Sequence, residues 1–178
     1  MRWISVCRAS PTQSDKFAAF GWYFSNKYHL LVRDDAGVRN LSGFEQDSTL
    51  QMGVIRSFRY SESANRLVDK LQEANRLSQA GGLAPLYQTL MGGRIQGMVI
   101  EPFDFPVVEE KKIREMTTVL EFNDPPVPHG LIMSKKALTV SQMDPWRALV
   151  NGMRADGTMR RIFEKYFKPE LAATLVNF

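Results

Sequence analysis

Cysteine is nearly absent from this sequence: Cys7 is the only one in 178 residues. A lone thiol excludes an internal disulfide and says little about compartment. It has no CxxC partner and falls in an expected strand, so it reads as a buried, inert side chain. Histidine is almost as scarce. His29 and His129 stand far apart, without metal-ligand spacing, and both read as structural. No Ser–His–Asp pattern and no Gly-rich phosphate loop is present, which weakens an enzymatic reading and leaves no cofactor to expect. No apolar run approaches the roughly 18 residues that a membrane span needs. The N-terminal stretch "MRWISVCRASPTQSDKF" has a positive residue but lacks the apolar core of a signal peptide. Taken literally, such a chain stays in the cytoplasm. Internal repeats and low-complexity segments are also lacking.

A one-sided charge is missing too. The net charge is only +4, and the basic residues lie beside acids, as in "EEKKIRE" and "RRIFEKYFKPE". These are solvated helix faces, not a stripe that tracks phosphates, so nucleic acid is not an expected partner.

What is present describes a globular α/β protein. Hydrophobic residues make up 44% and charged residues 24%, enough for one ordinary domain or two small ones with a real core. Strands are expected at 3–6, 28–35, 51–57, 117–122 and 130–136, with one more running into Glu101. A helical turn is expected around Phe17 and Phe20, and a loop from 36 to about 50. Helices are expected at 61–77, with Leu67, Val68 and Leu71 as the apolar stripe, and at 83–91, with Pro85 in the first turn. A short polar helix at 109–116 and two C-terminal helices from 144 and 157 complete the pattern. Asp156-Gly157-Thr158 reads as a C-cap followed by an N-cap. Strands alternating with helices imply a largely parallel sheet.

In such sheets ligands sit beyond the carboxyl ends of strands, where helix N-termini point. Two stretches meet this condition. The first is "RSFRYSES" at 56–63, between a strand and its helix. Backbone N–H groups on this turn favour an anion, and Arg59 adds a positive charge, making Ser57, Phe58, Arg59 and Ser61 candidates. The alternative is that Ser61 is a plain N-cap. The second is "LYQTLMGGRIQGMVIEP" at 86–102, whose buried strand ends on a carboxylate. Either Glu101 marks where that strand meets water, or it awaits a cationic partner, because an unpaired buried charge is costly. Ser10 and Thr12 offer hydroxyls to a ligand or close a local turn. Trp22, Tyr23 and Phe24 stack on a ligand or belong to the core.

In order and spacing these stretches resemble the solute-binding proteins of amino-acid ABC transporters, which have the type II periplasmic binding fold. "GVIRSFRYSES" is similar to the family's strand and ligand-binding turn, and "YQTLMGGRIQGMVIE" to its helix, Gly-Arg turn, buried strand and acid. "GLIMSKK" and "WRALVNGMRADGTMRRIFEKYF" resemble its closing strand and last two helices, and "SPTQSDKFAAFGWYFSNKY" its hinge segment. The likeness covers about residues 3 to 168. It implies an α/β periplasmic-binding-protein-like fold with one complete lobe and a partial first lobe. Residues 1–28 are then a remnant of the first lobe and hinge, 29–128 the second lobe, and 129–178 a return strand and helices packing on the first lobe.

The resemblance also implies a function: binding of a small polar solute, an amino acid or related organic acid, between two lobes for ABC transport or sensing. Glu101 takes the role of the acid that grips the ligand's ammonium group. Thr12, Ser57, Phe58 and Arg59 are further expected contacts, with Ser61 and Ser10 beside them. The family's carboxylate-gripping arginine falls at 14–16, where this chain has Ser14, Asp15 and Lys16. Lys16 supplies only a point charge, and Arg8 or Arg59 can serve instead. A transporter permease, the periplasm and, because much of the first lobe is missing, a homodimer are the implied partners and place. A few relatives with this architecture are dehydratases of cyclic carboxylic acids, for which Glu101 would be the general acid or base. The other alternative is a truncated lobe that binds no ligand.

Overall fold

The computed structural model describes the backbone of Ile4–Cys7 and residues 17–178. The chain divides into two compact units, Lys27–Pro125 and Met1–Asn26 with Pro126–Phe178.

The Lys27–Pro125 unit is built on a five-stranded sheet. Its strands are β3 (His29–Arg33), β4 (Met52–Ile55), β5 (Leu77–Ala80), β6 (Gly97–Ile100) and β7 (Thr117–Glu121), in the order β5-β4-β6-β3-β7. The sheet is mixed and not largely parallel. β4 runs parallel to β5 and β6, whereas β3 is antiparallel to both β6 and β7. All four residues of β6 are buried, as are Leu30, Leu31 and Val32 of β3. Continuous apolar strands of this kind suit a sheet covered on both faces.

Four helices pack around this sheet. α1 (Leu41–Gln46) occupies the segment expected to be loop. Asn40 caps it by accepting the Gly43 N–H at 2.8 Å, and Phe44 anchors it in the core. α2 (Glu62–Glu73) buries Leu67, Val68 and Leu71 as their spacing predicts. It stops short of the expected Leu77 because Asn75 takes a left-handed φ of 55°, and the chain leaves as β5, a strand the sequence pattern did not reveal. α3 (Leu83–Met91) follows the Gly81-Gly82 break, and its Leu86, Tyr87 and Leu90 join Met98 and Ile100 of β6 in one buried cluster. The polar helix expected at 109–116 is displaced. α4 spans Phe105–Glu110, Lys112 breaks it at φ 54°, and Ile113–Met116 forms a 3-10 turn.

Arg76 is buried and holds the unit together from inside. Its guanidinium donates to the carbonyls of Leu50 at 2.8 Å, Glu45 at 2.7 Å and Phe44 at 2.8 Å, stapling α1 and the approach to β4 onto the end of α2. A buried cation survives because its donors are matched.

The other unit is an antiparallel sheet of β1 (Ile4–Cys7), β8 (Val127–Ser134) and β2 (Ala18–Asn26), with β8 in the centre. β2 replaces the helical turn expected around Phe17 and Phe20. Its run of aromatic residues suits a pleated surface, and Phe20 and Trp22 stack at 4.8 Å along one face. Gly130 lets β8 approach β2 closely, since a Cβ there would run into the Gly21 carbonyl. α5 (Val140–Ala155) starts earlier than expected, at a capping box of Thr139 and Gln142, and donates Arg147 Nε to the Phe20 carbonyl at 3.2 Å. Asp156 ends α5 and its carboxylate accepts the Thr158 N–H at 2.8 Å, so it caps α6 (Thr158–Phe163) across Gly157 at φ 77°. A further helix, α7 (Pro169–Val176), was not expected; it buries Ala172 and Leu175. Among the described residues no helix is long and apolar enough to cross a membrane.

Candidate functional site

β4 and β6 are parallel neighbours in register, Met52 opposite Gly97 and Gly53 opposite Met98. Their carboxyl ends therefore open on the same edge of the sheet. That edge carries the turn after β4 and, after β6, Glu101. β3 runs the other way, with His29 opposite Ile100, so its start reaches the same edge. His29 is packed on Phe105 at 5.8 Å, and burial lowers its pKa, with Glu121 opposing and Lys27 assisting.

The turn after β4 is closed by the Phe58 N–H on the Ile55 carbonyl at 3.1 Å, with Ser57 at φ 60° in the left-handed region that L side chains seldom adopt. Ser57 and Arg59 are exposed and Phe58 half-buried. Arg59 pairs with Asp69 at 3.3 Å, and both side chains are well exposed, a geometry that contributes little to stability. Tyr60 is buried. Its hydroxyl accepts the Ile55 N–H at 3.0 Å, and its backbone exchanges two hydrogen bonds with the Asn65 side chain at 2.9 and 2.8 Å. Rings of Phe58 and Tyr28 flank it, at 5.0 and 5.5 Å.

The reading of Ser61 as a plain N-cap needs correction. Ser61 stands at the N-cap position of α2, but its side chain does not cap the helix. The cap comes from far along the chain: the Ser63 N–H donates to Asp124 Oδ2 at 2.9 Å. Burial alone would raise the Asp124 pKa, yet the surrounding serine groups, the Ser63 N–H among them, and the charge of Arg66 hold it below the usual carboxylate range.

Glu101 ends β6 for a physical reason. It opens a 3-10 turn, Pro102–Asp104, and forms a reciprocal capping box with Asp104: the Asp104 carboxylate accepts the Glu101 N–H at 2.9 Å, and the Glu101 carboxylate turns back to the Asp104 N–H. Pro102 at the first position of the turn has no N–H to satisfy. Glu101 is half-buried and Asp104 buried. Burial raises the Asp104 pKa, against the hydrogen bonds from Glu101 and Tyr87. Both acids act on the tyrosines in turn. Burial first, then Asp104 and Glu101, push the Tyr60 phenol up to about 12, and the same causes raise Tyr87. The edge is thus an acidic wall backed by aromatic rings, suited to a cation.

Of the candidates named from the sequence, Ser57, Phe58, Arg59, Ser61 and Glu101 come to this edge. Arg8, Ser10, Thr12 and Lys16 lie outside the described residues, as does the Cys7 side chain. Trp22 stacks on Phe20, and Phe24 stacks on His129 at 4.7 Å, so these rings pack within their own unit. Tyr60, Asp104 and Asp124 were missed. The spacing Glu101-Pro-x-Asp104 is a capping signature visible in sequence, whereas nothing local marks Asp124 as a cap for a helix 61 residues earlier. No group of His, Cys, Asp and Glu suited to a metal occurs among the described residues. A shallow hollow lined by Pro85, Gln88, Thr89, Gly92 and Arg94 shares no residue with the edge.

No protein-family model matches the chain, and no curated protein does either. Solved structures do match it. An amino-acid ABC transporter substrate-binding protein from Streptococcus pneumoniae, bound to L-arginine, has a TM-score of 0.70 at 17% identity, over 93% of this chain and 66% of its own. An ancestral arginine-binding protein bound to arginine gives 0.68 at 17% identity, over 91% and 69%. The arginine-, lysine-, histidine-binding protein of Geobacillus stearothermophilus gives 0.68 at 14% identity, over 92% and 67%. The fold is that of the periplasmic solute-binding proteins. The chain spans about two thirds of the length of these structures.

Proposed function

We propose that the chain binds a small polar solute, an amino acid or a related organic acid, for ABC transport or sensing, and performs no chemistry on it. The observation that carries this reading is Glu101, a half-buried carboxylate at the carboxyl end of β6, fixed by Asp104 and set among aromatic residues. A carboxylate can accept several hydrogen bonds, so capping a turn and gripping an ammonium or guanidinium group are compatible. The shared fold adds support, since the three structures described are all named for amino-acid transport or binding.

Ser57, Phe58, Arg59 and Glu101 are the proposed contacts of the Lys27–Pro125 unit, with Ser61 beside them. Thr12 is a proposed contact, and Ser10, Arg8 and Lys16 further ones, from the N-terminal segment. A permease partner, a periplasmic location and pairing with a second copy belong to the same proposal. Titration calorimetry with basic, neutral and acidic amino acids tests it. Saturable one-to-one binding of an aminated solute supports the reading, and no heat from any of them contradicts it.

A further inference from the structure

The N-terminus of α2 is the natural seat for an anion on this edge, because its first N–H groups lack partners within the helix and the helix dipole favours negative charge. In this protein the seat is already taken. The Ser63 N–H donates to Asp124 Oδ2 at 2.9 Å, and Asp124 belongs to the segment that follows β7, 61 residues along the chain. The serine at the cap position leaves the capping to it. Asp124 is part-buried and Ser61 buried, so this is an interior contact and not a passing surface pair. The Ser63 N–H and the charge of Arg66 favour the ionised form of the Asp124 carboxylate.

Two of the nearby cations have carboxylate partners of their own. Arg59 is paired with Asp69 at 3.3 Å. Arg66 is held by Glu62 at 2.7 Å and by the Ser63 hydroxyl at 2.7 Å. Close to Tyr60 lie two acids, Glu101 and Asp104. A solute carboxylate arriving at the α2 N-terminus would meet a resident carboxylate, and like charges at such range repel.

We propose that Asp124 is a specificity residue: an internal carboxylate that fills the anion seat of α2, so that this unit selects its solute by a cationic group and does not bind the solute's carboxylate. This rests on the solute-binding reading above and names the chemical class, an amine, amidine or guanidine in which a carboxylate is dispensable.

The probe pair is arginine and agmatine, which share the guanidinium and amino groups and differ by the carboxylate. Calorimetry on the wild-type chain should give affinities for the two within about threefold, because a charge-assisted hydrogen bond to the carboxylate would separate them by tenfold or more. Asp124→Ala vacates the seat and should shift the ratio of affinities about tenfold toward arginine, by the same reasoning. Asp124→Asn keeps an acceptor for the Ser63 N–H and removes the charge, so it should shift the ratio the same way by less, with circular dichroism confirming that each variant is folded. A wild-type preference for arginine of about tenfold or more overturns the inference. So does an unchanged ratio in both folded variants, while binding itself survives and the solute-binding reading stands. Binding of neither probe by any of the three proteins also overturns this inference, whereas the solute-binding reading falls only if neutral and acidic amino acids give no heat either.

Discussion

Glu101 and Asp104 each turn a carboxylate toward the other's backbone N–H, across the 3-10 turn that follows β6. The strand therefore does not merely end at an acid; the acid is held in place by a second one that is buried. If Glu101 grips a cationic solute, Glu101→Gln should weaken binding by about 1.5–3 kcal/mol, the range for hydrogen bonds to charged groups. The fold should survive, because a glutamine carbonyl still accepts the Asp104 N–H. Calorimetry against a melting curve separates the two effects, and unchanged affinity would remove Glu101 from the site.

Asp104 should carry a pH signature. Burial raises its carboxyl pKa above the unfolded value. With the folded pKa raised, this group's contribution is fully present below the unfolded pKa and is lost as pH rises through the folded one. Asp104→Asn keeps an acceptor for the Glu101 N–H without a charge. The variant should therefore gain on the wild type as pH is raised from about 4 toward 7. Melting temperatures across that range check it, and a gap that shrinks with rising pH would refute it.

His129 should act in the opposite direction over much the same pH range. Burial lowers its pKa to about 4, and its ring stacks on Phe24. Because the unfolded state takes up the proton first, stability falls as pH drops from about 6.5 to 4, by up to about 3 kcal/mol. His129→Phe keeps a planar ring against Phe24 and should flatten that part of the profile. Denaturant melts of both proteins at pH 7 and pH 5 provide the comparison.

Arg76 should be among the most sensitive positions of the Lys27–Pro125 unit. Arg76→Ala leaves the Phe44, Glu45 and Leu50 carbonyls without their donor. The expected loss is about 3–5 kcal/mol, larger than for most single substitutions. Arg76→Lys should recover only part of it, since an ammonium lacks the fork that reaches three acceptors at once.

Much of this architecture is readable from local pattern. α3 appears as expected because a double glycine and an apolar period bound it. β6 appears because "GMVI" is short, apolar and preceded by a turn. The misses have a common origin in tertiary context. β5, "LSQA", has no strand propensity of its own and exists because β4 offers it a parallel partner. β2 was mistaken for a helical turn because Phe17 and Phe20 stand three residues apart and its partner, β8, lies about a hundred residues away in sequence. In the candidate site, Glu101 was visible because the strand ran into it. Asp124 was hidden because a cap supplied across the chain leaves no local spacing to find.

The second unit bears on assembly. On α5, Val140, Trp146 and Leu149 are exposed, at 64%, 41% and 53%. Exposed apolar side chains grouped on one helix favour a partner. Light scattering at micromolar concentration should show a dimer for the wild type and a monomer for Leu149→Glu. A 20.3 kDa species for both, with no binding of a hydrophobic dye, would count against pairing.

The most direct test of the account is the binding isotherm of the full chain with a cationic solute such as arginine, repeated on Glu101→Gln. The account predicts saturable binding at one site per chain for the wild type, weakened about tenfold or more in the variant, as expected for a lost charge-assisted contact. No binding of any aminated solute, or equal affinity in the two proteins, would contradict it.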